Sequence, residues 1–208
     1  MQAATIAALR TAVDDPATVA RYWAHVQLDD AHRCWHWLGA VSGRGHGRIQ
    51  IADRYEGPRD QLRRRTVVVI AHRFGYALQH GVDTLLAVPV VAHACDNPLC
   101  QNPQHWQAST PSANRREWAR RRRDVGGPLA DVRGARGRAR ALRETARAGG
   151  DLNDVDQAGA LPVHRDQLPL LASPDREYPD DEPPPGDSAS PARQDGPTAD
   201  QLRLFDDS

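Results

Sequence analysis

VAHACDNPLCQNPQHWQASTPSANRR, residues Val91 to Arg116, holds two of the chain's three cysteines together with two histidines and three asparagines, the last of them at the start of an expected helix. Cys95 and Cys100 are separated by four residues, and His105 follows Cys100 after four more. Gaps that short let loop side chains converge on one ion, and the Asn and Pro between them exclude a regular helix or strand. Cys34 is the remaining thiol. Cys34, Cys95, Cys100 and His105 make the four thiolate and imidazole ligands that a closed tetrahedral Zn(II) site requires. A small, loop-rich domain has a thin core, and structural zinc supplies roughly 10 kcal/mol or more to the folding of small modules. The competing reading is three buried thiols acting as small hydrophobes. Random scatter seldom places Cys, Cys and His five apart in one loop.

Around this loop the expected layout is strand, metal-tied loop, helix. Leu85–Ala92 (LLAVPVVA) is an apolar run interrupted by Pro89, read as one sheet-edge strand ending at His93. Ser112 is expected to cap a helix that runs through Trp118 and the arginines at 120–123 until Gly126-Gly127-Pro128. Asn114 then lies on that helix, 21 residues after His93. The result is a ββα unit, about residues 85–123, with an imidazole on β and a carboxamide on α facing each other.

Upstream, residues 2–13 and 17–26 read as helices, the second capped by Asp15-Pro16 with Val19, Tyr22, Trp23 and Val26 on its core face. Cys34–Gly39 alternates like a strand, Gly43, Gly45 and Gly47 provide a turn, and Arg48–Ala52 returns as a second strand. Arg54–Arg65, with five arginines, reads as a polar loop leading to the β-branched strand Thr66–Ile70. Ala71–His80 has helical spacing, stops at Gly81, and carries His72, read as a packed side chain. Downstream, 129–148 is Arg- and Ala-rich and partly helical, and from 149 onward Pro, Asp, Gly and Ser dominate. The fold class is α+β, in three parts: a core at 15–125, an Arg-rich extension at 126–150, and an acidic disordered tail at 151–208.

Formal charge cancels at 27 basic and 27 acidic residues, but unevenly. Residues 1–150 carry 23 Arg against 13 acids, and 151–208 carry 4 Arg against 14 acids. The first part suits a polyanion and the second a solvated tail. No apolar run of membrane-spanning length and no secretory leader is visible, which places the chain in the cytoplasm with no membrane partner. Three thiols in a reducing compartment argue against a disulfide framework.

The run His93-x-Cys95-x4-Cys100-x4-His105-x8-Asn114 resembles the His-Cys box homing endonucleases, a branch of the ββα-metal (HNH, or His-Me finger) nucleases. The C-W-x-W-x-G-A, G-x-G-R and A-H-R-x-x-Y elements before it look like HNH endonucleases common in phage and bacterial genomes. The similarity spans about residues 20–120. It implies that His93 is a general base toward water and that Asn114 holds a catalytic Mg(II), giving 5′-phosphate and 3′-hydroxyl ends. It also implies a phosphate-gripping arginine, for which Arg73, Arg48 and Arg59 are candidates. Two departures stand out. Several HNH proteins carry Asp or His just before the base, where this chain has Ala92, and the homing enzymes have a second cysteine-rich site, whereas no Cys follows Cys100.

The chemistry is sound without the family. A neutral imidazole can take a proton from water, and a hard cation can relieve charge on a leaving oxygen. Arg115, Arg116, Arg120 and Arg121 continue from the same helix and are expected along double-stranded DNA. A solvated basic helix is the plainer alternative for them. Gln201-Leu202-Arg203-Leu204-Phe205 resembles the pentapeptide by which bacterial polymerases and repair proteins dock on the β sliding clamp, with Gln201, Leu202, Leu204 and Phe205 as contacts. The expected function is a metal-dependent DNA endonuclease of phage or mobile-element type, monomer or homodimer. The alternative is a zinc-stabilised DNA-binding protein without cleavage.

Overall fold

Two neighbouring glycines decide how the first half of the chain packs. A Cβ on Gly39 would sit 2.7 Å from the Trp37 ring and one on Gly47 2.6 Å from it, so the indole lies in a slot that only glycine leaves open. Trp37 is 1% exposed, and Tyr22 packs on it with ring centroids 5.6 Å apart and on Phe74 at 5.4 Å. These three aromatics are the centre of the core.

The computed structural model describes residues 2–30, 32–58, 61–122 and 127–159, which fall within one unit, Met1–Ala160. The first elements are α1 (Ala3–Val13), α2 (Pro16–Trp23), β1 (Val26–Gln27), β2 (His36–Trp37) and β3 (Ala40–Val41). A long ribbon follows, β4 (Gly47–Glu56) and β5 (Arg63–Ile70), then α3 (Ala71–His80) and α4 (Val82–Ala87). Next come β6 (Val90–His93), β7 (Trp106–Ser109) and α5 (Pro111–Arg121). The described chain ends in α6 (Gly134–Arg147) and α7 (Leu152–Gly159). Among the described residues the architecture is mixed α+β, with three small antiparallel sheets, β1-β2, β3-β4-β5 and β6-β7. No helix among the described residues is long and apolar enough to cross a membrane.

Several elements differ from their sequence expectation. The run 85–92 is not one strand: Val82 and Leu85, three apart, are both buried as one face of α4, and Pro89 separates that helix from β6. Residues 54–65 are not simply a loop, because β4 and β5 pair out to Glu56↔Arg63. Ile49 opposite Val69 starts the ladder in the core, and backbone pairing carries it outward past the apolar residues. Strand β7 was hidden because Trp106 is its only buried residue. The cap of α5 is Thr110, whose hydroxyl accepts from the Ala113 N–H at 3.2 Å, with Pro111 at the first turn, rather than Ser112.

The expected boundaries at 15, 125 and 151 do not follow the core. Leu9 and Ala12 of α1, Ala139 and Leu142 of α6 and Val155 of α7 share one buried cluster with Trp37 and Phe74. The acidic tail was expected to begin at 151, yet α7 forms there, because Val155 buries itself and Arg133 donates to the Val155 carbonyl at 2.5 Å. Residues 160–208 lie outside the described residues, and so does the pentapeptide at 201–205.

Gly47→Ala should destabilise the protein by about 1–3 kcal/mol through overpacking against Trp37. Gly43→Ala, where a Cβ meets nothing within 4 Å, serves as the matched control. Chemical denaturation of the pair measures the difference, and equal midpoints would refute the slot.

Candidate metal centre and histidine cluster

The loop after β6 is shaped residue by residue. Asp96 takes a left-handed conformation (φ 52°), the Cys100 N–H donates to the Asn97 carbonyl at 3.0 Å, and the Leu99 N–H donates to Asn97 Oδ1 at 3.1 Å. Asn102 caps the turn before His105 by accepting from the Gln104 N–H, and its amide donates to the Arg33 carbonyl at 2.7 Å. A short antiparallel contact then draws in the distant cysteine. The Gln101 N–H donates to Trp35 O at 2.7 Å and the Trp37 N–H to Leu99 O at 3.1 Å, with His36 bridged to Cys100. Buried Gln101 also accepts from the Tyr22 hydroxyl at 3.0 Å, which ties the loop to the aromatic core.

Cys34, Cys95, Cys100 and His105 are thereby brought together, with their ligand atoms all within 4.8 Å of one another. His105 Nδ1 lies 3.7 Å from Cys34 Sγ and 3.4 Å from Cys100 Sγ. Tetrahedral zinc with ordinary bond lengths needs ligand separations of about 3.5–3.8 Å. The four residues therefore fit a metal ion such as zinc. The Asn102 N–H points at Cys100 Sγ from 3.4 Å, a contact that favours a thiolate. Hydrogen bonding from Cys100 and Cys95 pulls the Cys34 thiol far down, and sharing with Cys34 and Cys95 pushes Cys100 far up. Three thiols in this space cannot all ionise unaided; a divalent cation would allow it.

His93 ends β6, directly across the ladder from Trp106 in β7. Its Nε2 lies 3.0 Å from the Cys100 carbonyl, which also accepts from the Trp106 indole N–H at 3.3 Å. A carbonyl only accepts, so His93 carries its proton on Nε2 and keeps a lone pair on Nδ1. Burial pushes its pKa down to about 4, leaving the ring neutral at pH 7. His72 of α3 stands edge-on to it at 4.4 Å between centroids, and His46 from the β3–β4 turn lies 5.6 Å from His72. His72 is 3% exposed, consistent with a packed residue, but its packing partner is His93 itself. The sequence reading missed His46. Its only signal was a polar ring between Gly45 and Gly47, where a Cβ on Gly45 would meet the Ala135 carbonyl at 2.7 Å.

The remaining site residues are distributed more widely. Asn114 is half-buried in the first turns of α5, a helix that packs against β6. Arg73, one residue beyond His72, lines a cavity of about 360 Å³ with Thr5, Leu9, Phe74 and Pro89, and burial lowers its pKa. Arg48 is exposed on β4 opposite Ile70, at the entrance to α3. Arg59 lies outside the described residues. Arg115, Arg116 and Arg120 are exposed, but Arg121 turns back. It donates to the Ala94 carbonyl at 3.2 Å and pairs with Asp96 at 3.2 Å, so it straps α5 to the metal loop instead of extending from the helix.

Purified protein should contain one zinc per chain by elemental analysis. Cys100→Ser should lose it along with the cooperative thermal transition. Full metal content with unchanged melting in the variant would contradict the assignment of Cys100 as a ligand.

No known protein-family profile matches the chain, and no solved structure does. Two curated relatives are similar to parts of it. "Protein 2.8" of Escherichia phage T7 is 32% identical over 81 residues, 39% of this chain and 45% of its own length. "Protein 7.7" of the same phage is 30% identical over 95 residues, 45% of this chain and 61% of its own length. The chain thus spans between about half and three-fifths of the curated relatives it matches.

Proposed function

We propose that the protein is a metal-dependent endonuclease of the HNH type that hydrolyses phosphodiester bonds in double-stranded DNA. The observation that carries this reading is the His93 Nε2–H bond to the Cys100 carbonyl. It fixes the ring, sets the tautomer and leaves Nδ1 as the free base. A histidine held this way on a strand beside a cross-linked loop is prepared to take a proton from water rather than to bind a structural ion.

In this reading β6, β7 and α5 form the ββα unit, and the Cys34/Cys95/Cys100/His105 centre holds zinc that performs no chemistry. His93 Nδ1 accepts the proton of the attacking water. Asn114, whose carboxamide oxygen is a hard donor, would hold Mg(II), with waters completing the shell, since Ala92 offers no second ligand. Bound there, the ion would neutralise charge building on the leaving oxygen. Arg115, Arg116 and Arg120 hold backbone phosphates, and Arg48, at the edge of the histidine cluster, is better placed than Arg73 to grip one near the reaction. The cleaved ends would be 5′-phosphate and 3′-hydroxyl. Similarity to phage proteins agrees with a phage or mobile-element setting.

Supercoiled plasmid with Mg(II) tests the assignment. The unmodified chain should nick or linearise it, and His93→Ala should lower the rate at least about 100-fold, the low end for loss of a general base, with DNA binding intact. DNA binding without cleavage under any divalent metal would replace this reading with that of a zinc-stabilised DNA-binding protein.

A further inference from the structure

Four elements meet around the cavity of about 360 Å³ beside Arg73: Thr5 and Leu9 come from α1, Val69 from β5, Phe74 from α3 and Leu85 from α4. Protein interiors pack closely, and a space of this size falls at the lower end of what small-molecule sites occupy. Its walls are apolar apart from the Thr5 hydroxyl and the Arg73 guanidinium, and no acid is among the lining residues. None of them belongs to the cysteine cluster or to the group of histidines around His93.

Arg73 is the odd member of that wall. It is half-buried, burial lowers its pKa, and among the described residues it has no hydrogen bond or ion pair. Asp83, the acid of α4, is already held by both terminal nitrogens of Arg10 from α1. The titratable group beside Arg73 is His72, which could add only positive charge. A guanidinium drawn out of water without an acid is costly, and this one lies against Leu, Val and Phe.

We infer that this cavity is a ligand site for a small monocarboxylate with an aliphatic tail, the carboxylate forked on Arg73 and the tail against Leu9, Phe74 and Leu85. The inference goes beyond the nuclease reading and does not depend on it. A planar guanidinium matches a carboxylate with two parallel hydrogen bonds. One cation balances one negative charge, whereas a doubly charged phosphate would carry its excess into apolar surroundings. A sugar or a base would leave polar edges unpaired against the same walls. On α3, His72 packs on His93 while the next residue, Arg73, lines the cavity, so an occupant bears on the helix that carries part of the histidine cluster.

Calorimetric titration of sodium octanoate into the full chain tests the site, with acetate as the head group alone and octylammonium as the same tail with the opposite charge. One octanoate should bind per chain with a Kd of about 0.1–1 mM. At about ten times that concentration it should raise the melting temperature by about 3–6 °C. Acetate and octylammonium should give no saturable heat over the same range. Arg73→Met should weaken octanoate binding at least about tenfold and, having lost an unpaired charge, should melt no lower than the parent. Thr5→Trp keeps Arg73 and adds bulk at the α1 wall; it should also block binding, and it decides the matter if Arg73→Met folds poorly. Equal octanoate binding by the parent and either folded variant, or octylammonium bound as well as octanoate, reduces the contact to adsorption of an apolar tail and overturns the site. Absence of octanoate binding by the folded parent at about 10 mM overturns it as well. Neither result bears on plasmid cleavage, so the nuclease reading stands or falls separately.

Discussion

Cys100 is the residue on which the described site converges. Its thiol faces His105, its N–H closes the turn on Asn97, and its backbone bridges to His36 and so draws in Cys34. Its carbonyl receives both His93 and Trp106, the two residues paired across β6 and β7. A cation held by that thiol therefore restrains the histidine through one residue's own covalent geometry. Metal occupancy at the thiol would thereby bear on the orientation of the imidazole.

The rest of the molecule holds this residue in place. Gln101, next in sequence, is bonded to Tyr22 in the aromatic core, and Arg121 pins α5 to Ala94 and Asp96 on the near side of the loop. The three small sheets have little area to pack on one another. The described chain instead relies on aromatic contacts, on glycines that admit them, and on cross-links between loops. A domain assembled this way would gain more from a bound ion than one with a large continuous sheet.

The Cys34, Cys95, Cys100 and His105 cluster was legible in the sequence because such a site depends on residue type and spacing, and the chain has three cysteines to supply it. The position of His93 at a strand end was legible from the apolar run before it, although only Val90–His93 is strand. What was not legible depended on pairing between distant segments. Strand β7 has one buried residue and no alternating pattern, and Arg54–Arg65 has the composition of a loop although its backbone forms a ladder. The helix α4 escaped because LLAV suits either state until the core decides which side chains it takes. His46 became visible only once the turn carrying it was found against Ala135 and beside His72.

The close spacing of three sulfur atoms has an oxidative consequence. Within 4.8 Å of one another, the thiols of Cys34, Cys95 and Cys100 are near enough that a sulfenic acid formed on one would meet a neighbour able to condense with it. Bound metal occupies the electron pairs such a reaction uses. A chain without a bound ion would thus be open to peroxide at the residues of the cluster, and the resulting disulfide would block metal binding until it is reduced.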